Sequence, residues 1–171
     1  PDFKSKIYSI KEISKEIPNN GVLIEYQKYR PFIFDNPTDA MSEDNWEKPR
    51  YQALLLFSNG EVETVDLGLA QEIEDLIKNG LIASEQFLPD AQEQWNTVGK
   101  LIINPLGKYI KDKKVLFISP DSELNKVPFA AVSSANENKL LGEEFLLRLI
   151  TTGRELVSLN KTNILNNNKS L

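Results

Sequence analysis

The side chains that most often carry nucleophilic and proton-transfer chemistry are missing from this sequence. Its 171 residues include 0 His and 0 Cys. A thiolate nucleophile, a Ser-His-Asp triad, a thiolate zinc site and a disulfide framework all require at least one of these residues. Catalysis by this chain alone would need carboxylates, Lys, Tyr or a metal ion held by oxygen ligands. We assign none of these roles to a particular residue, and we predict no catalytic residue, no cofactor and no metal ligand in this chain.

The carboxylates that could hold a cation lie in a long irregular insertion, residues 31–49. They lack the alternating ligand spacing and the central glycine of a calcium loop. We interpret them as part of a solvated loop, and the prolines of the insertion predict an extended or mobile segment without regular structure. The four carboxylates are Asp39, Glu43, Asp44 and Glu47, and the three prolines are Pro31, Pro37 and Pro49.

The remaining clusters of charged and aromatic residues have structural interpretations. The acidic group on the first long helix is typical of an exposed helix face. The basic group near residue 110 lies at a helix end, where cations interact favourably with the helix dipole. Both tryptophans are interpreted as packing residues. These groups are Glu72, Glu74 and Asp75; Lys108, Lys111, Lys113 and Lys114; and Trp46 and Trp95.

Composition and charge narrow the class of protein. Hydrophobic residues make up 40% of the chain and the net charge is −5, which predicts a folded domain and disfavours nucleic acid or an anionic membrane as the main partner. Neither a signal peptide nor a membrane-spanning apolar run is apparent, so we expect a cytoplasmic protein. The chain begins with Pro1, and its single methionine is Met41, so we expect a processed chain or a part of a longer protein.

The elements that must position any site alternate between strand and helix patterns. Asn59 and Gly60 predict a type I′ hairpin turn, and Gly80 predicts the end of a helix that follows Gly68. Residues 115–118 are the best candidate for a buried parallel strand. The alternation predicts an α/β fold with one domain. Predicted strands are residues 22–30, 51–57, 62–66, 115–118 and 145–152, and predicted helices are 9–17, 68–80, 90–102, 106–110 and 153–159.

The most informative segment is residues 117–132, FISPDSELNKVPFAAV. A buried strand is followed by a polar turn, and a hydrophobic segment then returns to cover the core. Pro128 lacks a backbone donor, so we do not predict an inner strand for this returning segment. This segment resembles the signature of the CHAT family, a family of caspase-like peptidase domains that often follow tetratricopeptide repeats, especially in cyanobacteria. This chain has Ser122-Glu123 where the family commonly has glycine, and Val127 where it commonly has leucine.

Other stretches resemble the same family in the same order. They include the strand at residues 22–29, the PRYQA entry to the next strand at 49–53, the hairpin at 59–68, the Pro-Leu pair at 105–106 and the stretch from 140 to 156, where Thr152-Gly153-Arg154 replaces the family's Pro-Ser. The resemblance covers residues 7–159.

The resemblance implies a caspase-like, mostly parallel mixed sheet flanked by helices, present here as an incomplete domain. It also implies a cysteine peptidase whose His and Cys lie downstream of the matched region, so that no catalytic residue can be transferred to this chain. We expect residues 1–159 to be the N-terminal portion of that domain and residues 160–171 to be a polar, disordered tail.

The resemblance also bears on partners. Expected partners are the C-terminal half of the same domain, a second copy of the chain, a tetratricopeptide-repeat domain and, for the parent protein, a peptide or protein substrate. Two alternatives remain: an interaction module or pseudoenzyme that binds through an unpaired sheet edge, and an unrelated α/β domain that binds a small molecule.

Overall fold

The structure is a computed structural model that describes residues 7–33, 43–136 and 139–158. It contains a five-stranded sheet in the order β3-β2-β1-β4-β5. The strands are β1 (Gly21–Tyr29), β2 (Arg50–Leu56), β3 (Val62–Leu69), β4 (Val115–Ser119) and β5 (Leu146–Leu149). The predicted tail and Asp39 lie outside the described residues, so the predictions made for them stay predictions.

The sheet is mixed, as predicted. β1 pairs in parallel with β4, and β4 pairs in parallel with β5. The other two pairings, β1 with β2 and β2 with β3, are antiparallel. Parallel and antiparallel pairings are therefore equal in number. The sequence predicted a mostly parallel sheet, so the parallel fraction is smaller than expected. β4 lies between two parallel neighbours and its residues after Val115 are buried, which confirms the prediction for this strand.

Helices cover both faces of the sheet. Val22, Ile24 and Ile118 belong to a large core on one face, where Ile73, Ile77 and Val98 of the long helices pack against them. The opposite face buries a smaller cluster, in which Leu23 and Phe117 contact α1 and the helical residues 154–158. The α-helices are α1 (Ile10–Ser14), α2 (Ala70–Glu85), α3 (Ala91–Ile102), α4 (Gly107–Ile110) and α5 (Leu141–Glu144). This α/β architecture is the one that the sequence predicted.

Two local predictions are wrong. α2 continues past Gly80 to Glu85. Gly80 is required there because a Cβ at this position would lie 3.0 Å from the ring of Trp95, so the glycine allows α2 and α3 to pack closely. In the hairpin, Gly60 has a φ of 88° but Asn59 does not have a positive φ, so the turn is not type I′. The Phe57 N–H donates to the Glu61 carbonyl, which leaves a three-residue loop closed by a glycine bulge.

The insertion between β1 and β2 is irregular in its described part. It contains a 3₁₀ turn at Glu43–Asn45 and an isolated bridge between Phe32 and Trp46. The ring of Trp46 packs edge-on against Phe32 with centroids 4.9 Å apart, although 41% of Trp46 is exposed. Trp95 is buried and donates from Nε1 to the Ser84 hydroxyl. Both tryptophans are packing residues, as predicted.

Candidate functional site

The carboxyl ends of three parallel strands meet at one edge of the sheet. β1, β4 and β5 all run in the same direction, so the residues after Glu25, Ser119 and Leu149 lie side by side. In open α/β sheets, ligands bind in the crevice outside these carboxyl ends. This edge is therefore the candidate functional site of the chain.

Hydrogen bonds fix the loops at this edge to one another. The Ser119 hydroxyl donates to the Thr151 carbonyl at 2.9 Å, which joins the end of β4 to the residues after β5. The Gly153 N–H donates to Glu25 Oε1 at 2.7 Å. The Lys28 N–H donates to Asp121 Oδ2 at 2.8 Å, which joins β1 to the loop after β4. The two carboxylates thus hold the backbone in place.

A shallow groove of about 390 Å³ runs along this edge. Carboxylates, hydroxyls and a partly buried leucine line it, and its chemistry is that of a surface that binds and orients. No nucleophilic thiol and no imidazole is available, since the sequence has neither residue type. The groove can contribute a wall to a cleft, and thiol-imidazole chemistry there would need both of these groups from elsewhere. Its lining includes Glu25, Gln27, Leu54, Ser119, Asp121 and Thr151.

The segment singled out in the sequence, residues 117–132, shapes one side of this groove and then returns to the core. After β4 it forms two 3₁₀ turns, Ser122–Lys126 and Phe129–Ala131. Four side chains of the part after β4 are buried: Leu124, Val127, Phe129 and Val132. It is therefore a covering loop and not an inner strand, as Pro128 predicted.

Ser122 has an unusual backbone conformation within this segment. Its φ is 51°, a left-handed value that glycine adopts with least strain. Ser122 belongs to the Ser122-Glu123 pair, the place at which the CHAT family that this segment resembles commonly has glycine. This chain forms the turn with a serine in the left-handed conformation.

A second polar cluster lies at the same end of the sheet, and the sequence analysis did not predict it. Glu74 of α2 accepts from Lys28 Nζ at 2.6 Å and from the Tyr51 hydroxyl at 2.9 Å. The prediction that Glu74 belongs to an exposed helix face is therefore wrong, since its side chain is only 19% exposed. Glu72 and Asp75 are exposed as predicted. Burial, together with the Glu74 carboxylate, raises the pKa of Tyr51.

The other charged candidates make structural contacts. Glu43 forms an ion pair with Arg30 at 2.9 Å. Lys108 Nζ lies 4.5 Å from the ring centroid of Tyr109, and Lys113 Nζ lies 5.2 Å from that of Phe57. Within the described parts of the chain, no three acidic residues are grouped so that they could hold a metal ion.

The fold and this edge define an α/β protein of the caspase-like kind, with parallel strands that converge on one groove. Comparison with known families gives the more specific result. The sequence model of the CHAT domain matches residues 92–170, which include α3, β4, the covering loop and β5. The resemblance predicted from residues 117–132 is thus confirmed, and this part of the chain is similar to a CHAT domain. No curated protein matches the chain.

Across residues 7–33, 43–136 and 139–158, none of the helices combines the length and the apolar character needed to cross a membrane.

Two buried tyrosines give the fold a predictable pH dependence. Burial raises the pKa of Tyr26, whose hydroxyl donates to the Ile102 carbonyl at 3.1 Å, and the pKa of Tyr51 is raised as well. In the unfolded chain a tyrosine loses its proton near pH 10. Above that pH the unfolded state binds fewer protons than the folded state, so stability falls as pH rises.

We expect Tyr26 alone to lower the free energy of unfolding by about 1.4 kcal/mol for each pH unit above 10. Chemical denaturation at pH 8, 9, 10 and 11 measures this slope. Tyr26→Phe should reduce this slope, and the slope that remains should reflect Tyr51, whose pKa is also raised. Equal slopes for wild type and Tyr26→Phe would show that the Tyr26 phenol does not cause the loss.

Proposed function

We propose that this chain is the N-terminal, non-catalytic part of a CHAT cysteine peptidase domain. It supplies the first five strands, their helices and one wall of the substrate cleft. The catalytic His and Cys are contributed by strands encoded downstream, and the complete parent protein is a cysteine endopeptidase that cleaves a peptide or protein substrate. A tetratricopeptide-repeat domain of the same protein is a further proposed partner.

The outer edge of β5 is the observation that carries this proposal. β5 is the last strand in the order, and its outer side pairs with none of the described residues. Leu146 and Leu149 are 56% and 60% exposed there. A strand edge with exposed leucines is a template for pairing with a further strand. A downstream strand parallel to β5 would extend the row of carboxyl ends that begins with β1 and β4.

The groove supports the same proposal by its position. It lies outside the carboxyl ends of the parallel strands, and Thr151 and Thr152, which follow β5, belong to its lining. Its polar groups are already held by backbone hydrogen bonds. A nucleophile placed at the end of the next parallel strand would therefore face a preformed wall. The chain itself would bind and orient substrate while the downstream strands perform the chemistry.

The open edge also favours a second candidate, a stand-alone interaction module that pairs with another chain. The two candidates differ in what binds to β5. The peptidase proposal requires the downstream segment of the same domain, whereas the module would use a second copy or another protein.

Sedimentation velocity with the purified chain and the separately purified segment encoded after residue 171 tests the proposal. We expect a one-to-one complex, because a stable interface of the standard size, about 1,600 Å², buries enough apolar surface to offset the cost of association. Leu149→Lys should weaken the complex by at least about tenfold, since it places a charge at the paired edge. Val62→Lys on the opposite edge strand, at a residue 46% exposed, is the matched control.

Three results would count against the proposal. They are no complex with the downstream segment, equal effects of the two lysine substitutions, and a chain that forms only homodimers through β5. The last result would favour the stand-alone module.

A further inference from the structure

The turn between α2 and α3 presents a phenylalanine to solvent in a strained backbone conformation. Phe87 is 93% exposed and its φ is 53°. A bulky residue rarely adopts this left-handed region, where glycine is favoured. Both features are unfavourable for the isolated fold, and packing among the residues that the structure describes explains neither of them.

The hydrogen bonds of the turn show which position Phe87 occupies. The Leu88 N–H donates to the Ala83 carbonyl at 2.8 Å, and the Phe87 N–H donates to the Ser84 carbonyl at 3.2 Å. These two bonds define a Schellman motif, in which Phe87 holds the position that is usually glycine. Glycine would form the same motif with less strain, so the fold does not require a phenylalanine here.

Phe87 is the centre of a small apolar surface. In a Schellman motif the residue after the left-handed position commonly packs against the last turns of the helix, and the residues at these two places here are Leu88 and Ile82. These two residues are 41% and 39% exposed. We call Ile82, Phe87 and Leu88 the apolar tip.

The surroundings of the apolar tip are acidic. Residues 79–99 contain Glu85, Asp90 and Glu93 and no Lys or Arg, and Lys78 and Lys100 border this stretch. The stretch itself carries a net charge of −3. A second copy of the tip or an anionic membrane would be repelled by this charge, whereas a basic surface would be attracted.

We propose that the apolar tip is a docking site for an amphipathic helix of a partner protein, one whose apolar stripe is flanked by Lys or Arg. Phe87 inserts between side chains of the stripe, and the flanking cations face Glu85, Asp90 and Glu93. Aromatic anchors of this kind supply much of the binding energy in protein interfaces.

The position of the tip keeps this contact apart from the groove. α2 starts at the carboxyl-end edge of the sheet, where the Ala70 N–H donates to the Pro49 carbonyl. Its 16 residues span about 24 Å, and the tip follows its far end. A partner at the tip therefore leaves the carboxyl-end groove open, and this proposal stands independently of the proposed peptidase role.

The test uses two fluorescein-labelled model helices of one design, with a leucine stripe flanked by lysines in one and by glutamates in the other. Fluorescence anisotropy measures binding to the chain at low and high salt. We expect the lysine helix to bind, the glutamate helix not to bind, and salt to weaken binding. Phe87→Gly should weaken binding by at least about tenfold while it raises the melting temperature, because glycine relieves the backbone strain.

Ser122→Gly is the matched control, since Ser122 is the other non-glycine residue with a positive φ among those described. It should relieve strain in the same way and leave binding of the lysine helix unchanged. The proposal is overturned if Phe87→Gly leaves binding unchanged, if it lowers the melting temperature, or if the lysine helix fails to bind. Equal binding of both helices, or Phe87-dependent binding to vesicles of phosphatidylcholine in preference to the lysine helix, would also overturn it.

Discussion

Phe129→Ala should destabilise the fold by about 3–5 kcal/mol, the usual cost of removing a buried phenylalanine side chain. Phe129 belongs to the covering loop after β4 and is only 2% exposed. Its ring lies 5.8 Å from that of Tyr26, so it packs against the strand that ends beside the groove. Small domains are stable by about 5–15 kcal/mol, so this change removes a large share of the total.

Urea denaturation measures the effect as a lower midpoint with an unchanged slope. Phe87→Ala is the matched control, because it removes the same side chain from a site that is 93% exposed, and it should shift stability by no more than about 0.5 kcal/mol. A loss at Phe129 as small as that at Phe87 would mean that the covering loop is not part of the cooperative core.

The strands and the covering loop were predictable because their signals are local. Residues 115–118 form an unbroken apolar run, which is typical of a strand covered on both faces. Pro128 removes a backbone donor, and the return segment accordingly forms a 3₁₀ turn in place of an inner strand. Ser9 and Glu12 form a capping box at the start of α1, and their spacing of three residues is likewise a local signal.

Gly80 shows why some local signals mislead. An Asn-Gly pair near a helix end usually indicates a cap, and the same pair also suits a close contact between helices. Which role applies depends on Trp95, a residue 15 positions along the chain whose ring lies against Gly80. α2 ends instead at Glu85, and the left-handed residue just beyond it is Phe87, a residue type that gives no sign of this conformation.

The polar groups at the sheet edge could not be predicted because their partners are distant in sequence. Glu74 contacts Lys28 and Tyr51, which precede it in the sequence by 46 and 23 positions. Its place in the helix pattern does not distinguish it from its exposed neighbours. Glu25 depends on a backbone N–H 128 positions away. The pairing of β1 with β4 and β2 creates this edge, so only the tertiary fold brings these groups together.

Peptidase activity is expected only when the chain is joined to its downstream segment. The chain alone lacks both a thiol nucleophile and an imidazole base, and removal of these groups from a cysteine peptidase removes the covalent step and the proton transfer that accompanies it. Assays of the purified chain with a mixed peptide library should therefore give no cleavage above the uncatalysed rate. Peptide hydrolysis that persists through repurification and in the presence of chelators would contradict this prediction.

The mixture of the two segments should cleave, and replacement of the downstream Cys by Ala should abolish cleavage. Leu149→Lys tests how this chain takes part, because it changes the β5 edge and none of the reacting groups. At low concentration it should reduce activity in proportion to the complex lost, and a large excess of the downstream segment should restore the rate. A downstream segment that is fully active alone would show that β5 and the groove contribute nothing to catalysis. Val62→Lys should match wild type at every concentration, since the β3 edge lies at the other end of the sheet.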